Sequence, residues 1–197
     1  MLIGNEKATG FVASKFNSEY LVVTVSHLAR DRGVLQPTPV IARRSEGDAR
    51  QFRTVWNAYS VLIAEDLDCD IALYAIRPPG ELPVGKFALK APIGKQLDWL
   101  SFPGDPKLYR NILHTNYGTK IPSAFVNFDL INKRSVSGES GSPIFYQEHI
   151  VGMIVGFTLE GQTVYARSEN IVSLIYRAAD RSFDSFECLT PFWRTTK

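Results

Sequence analysis

An all-β fold, built as barrels or a sandwich and followed by one C-terminal helix, is what this sequence predicts. Three observations carry the expectation. Short runs rich in Val, Ile, Phe, Tyr and Thr recur along most of the chain. Gly, Pro, Asn and Asp punctuate them at close intervals, as turns between strands require. Only one segment, near the C-terminus, has helical period.

The first group of strands is read at Thr9–Ser14, Tyr20–Ser26, Pro39–Ala42, Arg50–Ala58, Ser60–Ala64 and Asp70–Ile76. A second group is read at Leu97–Phe102, Leu108–His114, Ser123–Leu130, Ser142–Tyr146, His149–Phe157 and Gln162–Ala166. Between them runs Arg77-Pro78-Pro79-Gly80-Glu81-Leu82-Pro83-Val84. Proline cannot donate to a β ladder, so this stretch reads as a connector. A surface loop within one domain is the alternative, but strands clustered on both sides favour a linker between two barrels. The expected division is residues 1–79 for the first barrel, 80–95 for the linker, 96–167 for the second barrel and 168–197 for a helix with an apolar tail.

In Ser168–Asp180 the apolar residues Ile171, Leu174, Ile175 and Ala178 follow i, i+3, i+4, i+7. Ser168 is placed to accept a hydrogen bond from an orphan amide as the helix cap. Beyond it, Phe183, Phe186, Leu189, Phe192 and Trp193 make a tail expected to pack on the barrel or on a partner.

The chain has 197 residues, 45% of them hydrophobic and 21% charged, which is ordinary for a globular protein. Its 22 basic and 20 acidic residues leave a net charge of +2, too small to point to nucleic acid. No apolar stretch is long enough to span a membrane. The N-terminal Met1-Leu2-Ile3-Gly4-Asn5-Glu6-Lys7 lacks the charged leader and apolar core of a secretory signal, so a cytoplasmic location is expected. The two cysteines, Cys69 and Cys188, are expected as buried thiols rather than a disulfide.

Three segments carry chemistry. Ser140 lies in Gly138-Glu139-Ser140-Gly141-Ser142-Pro143, His27 ends the apolar run from Tyr20, and Asp70 opens Asp70-Ile71-Ala72-Leu73. A serine hydroxyl is a weak nucleophile near neutral pH; it needs a general base, and the base needs a group that fixes its tautomer. His27 suits the first role and Asp70 the second. A carboxylate at the mouth of a buried strand is costly to desolvate unless paired. Glu65, Asp66 and Asp68 compete with Asp70. The alternation of Asp66, Asp68 and Asp70 superficially resembles a calcium loop, but the glycine and bidentate glutamate are missing, so no metal is expected. No cofactor is expected either.

Ser135, Ser137 and Ser142 compete with Ser140. The glycines at 138 and 141 decide for Ser140, because a nucleophile whose amide must point at a developing oxyanion needs a bend that glycine tolerates. The Gly138 and Ser140 N–H groups are the candidate oxyanion hole. Glu139 is expected to face solvent, with a structural pair as the close alternative. His114 and His149 are expected as surface or strand residues without a catalytic role.

Together these segments resemble the trypsin-like serine peptidases of the chymotrypsin fold, which use the same order of His, Asp and Ser. The chain is similar in its economy to an HtrA-type protease domain without a PDZ module. Further matching segments are Ala8-Thr9-Gly10-Phe11-Val12-Ala13, Phe102-Pro103-Gly104, Ile150-Val151-Gly152-Met153-Ile154 and Tyr165-Ala166-Arg167-Ser168. The resemblance implies two packed antiparallel β-barrels, with His27 and Asp70 from the first and Ser140 from the second. It implies a serine endopeptidase that cleaves protein or peptide substrates through an acyl-enzyme.

Ser26 stands where the family often has Ala, and Ser142 where it has a second glycine. Glu139 occupies the place of the acidic residue that pairs with a freed N-terminal amine in zymogen-type relatives. No activation cleavage site is visible, so the hole must be ordered in another way. Arg134 lies six residues before Ser140, where trypsin-type relatives carry an acidic residue; a cation there disfavours Arg or Lys at P1. Arg134, Ser135 and Phe157 are the candidate pocket residues, with core or edge packing as the plain alternative for Phe157. The competing functional reading is a latent or binding-only module of the same fold that needs a regulatory partner, or a larger parent polypeptide, to open its cleft.

Overall fold

A computed structural model describes residues 2–3, 6–7, 9–16, 18–27, 38–46, 51–101 and 114–182. The apolar tail, Cys188 and the Phe102-Pro103-Gly104 segment lie outside the described residues.

Thirteen strands and one helix are present among them. They are β1 (Leu2–Ile3), β2 (Glu6–Lys7), β3 (Phe11–Phe16), β4 (Glu19–Val25), β5 (Thr38–Glu46), β6 (Gln51–Asp66) and β7 (Ile71–Ile76). Then come β8 (Gln96–Ser101), β9 (His114–Ile121), β10 (Phe128–Ile131), β11 (Pro143–Tyr146), β12 (His149–Phe157) and β13 (Thr163–Arg167). The helix α1 spans Ser168–Ser182.

The first body is a five-stranded antiparallel sheet in the order β3-β4-β7-β6-β5, beside the small β1-β2 pair. The second is a closed six-stranded barrel, β10-β13-β12-β11-β8-β9. Among the described residues the fold is therefore all-β with the helix α1 following the last strand, as expected. Two strands read separately, Arg50–Ala58 and Ser60–Ala64, are one strand of 16 residues, β6. Its first part pairs with β5 as far as Ser60, and from Ser60 onward it pairs with β7. A strand that changes partner midway interrupts its alternation of apolar and polar residues, which is why it reads as two.

On the first body the apolar residues of β4 and β7 are paired from Tyr20 with Ile76 to Val25 with Ile71. Val23, Val25, Ile71 and Leu73 are sealed from solvent, each contributing about 1.5–3 kcal/mol by burial. The core they form also takes in Met153 and Ala166 of the barrel and Ile171, Leu174, Ile175 and Ala178 of α1. The helix therefore seals a core shared by both bodies. At its start Ser168 does not cap as expected: its hydroxyl donates to the Ala88 carbonyl at 2.5 Å, tying the helix to the preceding connector.

That connector is bonded to both bodies. The Gly85 amide donates to the Val12 carbonyl, while Phe87 forms a parallel bridge with Ile150 and the Ala88 amide donates to Ile150. The expected strand Ser123–Leu130 begins only at Phe128, because the Ser123 hydroxyl accepts from the Phe125 amide and turns the chain.

A buried carboxylate, Asp129, lies on the β10–β13 wall of the barrel. Lys120 approaches it at 2.7 Å and Arg167 at 3.3 Å, and the Tyr165 hydroxyl donates to it. Burial, then the charge of Asp129, pushes the Tyr165 phenol well above its ordinary value, so it stays a donor.

Candidate active site

β4 ends at Val25 and delivers Ser26 and His27 to the edge of the first body. The next strand in space, β7, begins one residue after Asp70. The Ser26 amide donates to the Asp70 carbonyl at 3.2 Å, continuing the β4–β7 ladder by one step. His27 and Asp70 are thus brought together by strand register.

Asp70 engages His27 twice. One carboxylate oxygen accepts from the His27 backbone amide at 2.7 Å, and the other lies 2.6 Å from His27 Nδ1. A carboxylate can only accept, so Nδ1 carries a proton, and in the neutral ring Nε2 is then the acceptor nitrogen. Asp70 adopts φ +54°, a left-handed conformation that Asp tolerates better than most residues. Held backbone strain of this sort is characteristic of functional sites.

The acidic neighbours are otherwise engaged. Glu65 accepts from the Ser26 hydroxyl at 2.9 Å. Asp66 accepts from the Cys69 amide at 3.0 Å and from Arg177 of α1 at 2.6 Å. Burial by itself raises the Asp66 carboxyl, but Arg177 and the Cys69 amide outweigh it and hold it below the ordinary range. Cys69 is buried, and desolvation followed by the charge of Asp66 pushes its thiol up to about 11. Among the described residues no group of three His, Cys, Asp or Glu side chains could hold a metal ion.

Ser140 precedes β11, and the residues after it are laid along β12. The Gly141 amide donates to the Ile154 carbonyl at 2.8 Å, and the Ile154 amide donates to the Ser142 carbonyl at 2.9 Å. β12 bulges here: Ile154 faces Tyr165 and Gly156 faces Val164, leaving Val155 as the extra residue. A bulge re-aims the groups it carries. Ser140 Oγ lies 3.5 Å from the Val155 carbonyl, the long edge of hydrogen-bond range.

The segment around Ser140 is spoken for, with two exceptions. Glu139 N–H donates to the Val136 carbonyl, and Ser142 N–H to the Glu139 carbonyl. Among the described residues, the amides of Gly138 and Ser140 donate to none. Gly138 sits at φ +89° and Gly141 at φ +84°, both in the left-handed region that glycine fills without penalty. Gly141 has a second reason: a Cβ there would stand 1.9 Å from the Thr9 carbonyl oxygen.

Thr9 links this segment to the first body. Its amide donates to the Ser140 carbonyl at 2.9 Å, and its own carbonyl accepts from the Thr24 hydroxyl at 2.8 Å. Thr24 lies on β4 three residues before His27. A short relay of two hydrogen bonds therefore ties the serine segment to the strand that carries the histidine.

Glu139 corrects one expectation. It is only 2% exposed, its Oε1 accepting from the Ser101 hydroxyl at 2.7 Å and its Oε2 from the Val136 amide at 2.9 Å. Flanking glycine and serine make the segment look like a surface loop, and no signal in the sequence pairs Glu139 with Ser101.

Arg134 and Phe157 meet: the guanidinium carbon lies 4.5 Å from the ring centroid. Phe157 is two residues beyond Val155 on the same strand. Ser135 is buried, and its hydroxyl donates to the Gly156 carbonyl at 3.3 Å, joining the segment before Ser140 to β12.

No family model matches the sequence, and no curated protein matches it. Solved structures do. The inactive form of Rv3671c from M. tuberculosis H37Rv superposes with a TM-score of 0.60 at 16% identity, over 89% of this chain and 82% of that one. A thermostable serine protease, AL20, from an extremophilic microorganism gives 0.62 at 14% identity, over 87% and 90%. The serine endoprotease from Yersinia pestis gives 0.65 at 15% identity, over 91% of this chain and 60% of its own. The fold is the chymotrypsin-like one. At such low identity the likeness speaks for the fold alone. No described helix is long and apolar enough to cross a membrane.

Proposed function

We propose that this protein is a serine endopeptidase of the trypsin-like type, acting on protein or peptide substrates with Ser140 as nucleophile, His27 as general base and Asp70 as the residue that orients it. The observation that carries the reading is the double hydrogen bond from Asp70 to His27. It fixes the ring and, in the neutral imidazole, puts the lone pair on Nε2, which is the state a serine hydroxyl needs beside it.

In this reading His27 Nε2 takes the Ser140 proton as Oγ attacks the scissile carbonyl. The imidazolium that forms is stabilised by Asp70, then gives its proton to the leaving amine as the tetrahedral intermediate collapses to the acyl-enzyme. Water, activated by the same nitrogen, releases the acid and restores Ser140. The Gly138 and Ser140 amides hold the oxyanion. Their lack of other partners supports the assignment, since a donor of this kind is worth about 3 kcal/mol of barrier only if it is unspent.

Arg134, Ser135 and Phe157 are assigned to the P1 pocket. The Arg134 charge, held over the Phe157 ring, faces the same strand as Ser140, so cationic P1 side chains are disfavoured by like charge. Peptides with Ala or Leu at P1 are expected to exceed an Arg analogue in kcat/KM by roughly tenfold or more. The reverse ranking removes this pocket assignment.

The test of the function is labelling with a fluorophosphonate and mapping of the modified residue. Stoichiometric modification of Ser140, abolished by Ser140→Ala and by His27→Ala, is the expected result. A folded wild type that takes no label removes the peptidase reading and favours a binding module.

A further inference from the structure

Among the arginines whose side chains are described, Arg134 stands apart. Arg77 lies 2.7 Å from Glu19, Arg177 2.6 Å from Asp66 and Arg167 3.3 Å from Asp129. Arg134 meets none of the described carboxylates; its guanidinium carbon lies 4.5 Å from the centroid of the Phe157 ring. An aromatic face attracts the cation but takes up none of its N–H donors, which lie in the guanidinium plane. A Cβ built on Gly161 would lie 4.0 Å from Arg134 Cδ, yet Glu160, the residue before that glycine, makes no ion pair with the arginine. The group that matches an unspent guanidinium edge is a carboxylate, bound two N–H groups at a time. Resting on the peptidase reading, we infer that this protein cleaves after acidic residues, Glu before Asp, and that Arg134 receives the P1 carboxylate.

The place of this cation along β12 sets which side chain can reach it. Ser140 Oγ lies 3.5 Å from the Val155 carbonyl, Ser135 Oγ 3.3 Å from the Gly156 carbonyl, and Arg134 lies over Phe157. Three consecutive residues of one strand thus carry, in order, the nucleophile, a buried serine and the cation. Two steps along a strand cover about 6.6 Å. In a substrate whose carbonyl carbon is attacked by Ser140, the P1 side chain leaves from the neighbouring Cα. Three carbon–carbon bonds of about 1.5 Å each then carry a Glu carboxylate toward Arg134, and Asp has one bond fewer. Glu spans the gap more nearly than Asp, and Gln has the same length without the charge. Lys133 adds a second cation beside the first. Its Nζ lies 5.9 Å from the Trp99 ring and 5.3 Å from the Tyr117 ring, again with no carboxylate partner among the described residues. Two adjacent positive charges without a counter-ion make this end of the strand attractive to an anion.

The test compares chromogenic peptides that differ only at P1, with Glu, Asp or Gln there, at low and at high salt. In wild type kcat/KM for Glu is expected to exceed that for Gln by about tenfold at low salt, with Asp between them. The preference shrinks as salt screens the half-open site. Arg134→Gln is expected to bring the Glu-to-Gln ratio within about twofold, and Arg134→Glu to turn the preference toward Lys. Each ratio is taken within one protein, so a change in a variant's general activity cancels, and fluorophosphonate labelling of Ser140 reports that the variant is folded. A wild-type ratio within about twofold overturns the inference, as does a ratio that survives unchanged in Arg134→Gln. A wild type that is folded yet inert to every peptide and to fluorophosphonate overturns the peptidase reading itself, a result distinct from an active enzyme that ignores charge at P1.

Discussion

The two β-bodies contribute to the site by different physical means. The first supplies side chains: His27 and Asp70 meet because β4 and β7 are in register, and what binds them is a pair of hydrogen bonds from one carboxylate. The second supplies backbone: around Ser140 the proposed working groups are amides, flanked by glycines at positive φ and by contacts with Ile154, Thr9 and Glu139. The His27 side chain is 44% exposed, whereas Gly141 and Ser142 are buried. The lesson is that the proposed reaction would draw on a partly exposed side-chain pair in one body and on buried backbone in the other.

The sharpest way to break the contrast is Asp70→Asn. The amide keeps the shape of the carboxylate but offers the wrong partner to Nδ1, so kcat is expected to fall on the order of 10⁴-fold while Tm changes little. Retention of most activity would deny Asp70 its orienting role. Gly141→Ala is the counterpart in the second body. A Cβ there collides with the Thr9 carbonyl in a conformation L-residues avoid, so a loss of about 3 kcal/mol or more in urea unfolding is expected, and labelling of Ser140 falls with it. A stable, active Gly141→Ala protein would show that the backbone half of the site yields as readily as the side-chain half.

Smaller effects sharpen the edges. Arg177→Ala removes the partner of Asp66 and is expected to cost about 0.5–1 kcal/mol, since the arginine side chain is half exposed. Because the folded Asp66 carboxyl is held below 3.8, that contribution is present above this value and is lost as pH falls through the lower, folded one. Urea midpoints for wild type and variant should therefore differ at neutral pH and converge in acid. Cys69 gives the mildest test. With its thiol raised to about 11, it should resist iodoacetamide at pH 8 in the native protein and react in urea, read by peptide mapping.

Much of this was legible in the residues, and what was hidden has a physical cause. His27, Asp70 and Ser140 announce themselves by type and setting: a histidine at the end of an apolar strand, an aspartate at the mouth of another, a serine between glycines. The strand β9 does not, since His114-Thr115-Asn116-Tyr117-Gly118-Thr119 is polar and holds Tyr117 out to solvent. Its place in the barrel comes from backbone pairing with β8 and β10, which leaves no apolar alternation to read. The burial of Glu139 is hidden for another reason: its partner Ser101 is 38 residues away, and a lone serine at a strand end carries no signal. Thr9 and Thr24 are similar, each ordinary in sequence and decisive only once β3 and β4 bring them beside Ser140.

The helix α1 has a consequence in time. It is the last described element in the chain, yet Ile171, Leu174, Ile175 and Ala178 fill a core that includes Val23, Val25, Ile71 and Leu73 from the first half of the sequence. During synthesis the strands bearing His27, Asp70 and Ser140 all emerge before the residues that seal them together. A ribosome-bound chain halted at Arg167 would hold every proposed catalytic side chain while leaving that core open to water. The order of translation thus leaves that core unsealed until the residues of α1 are made, which on the proposed peptidase reading delays the assembled site.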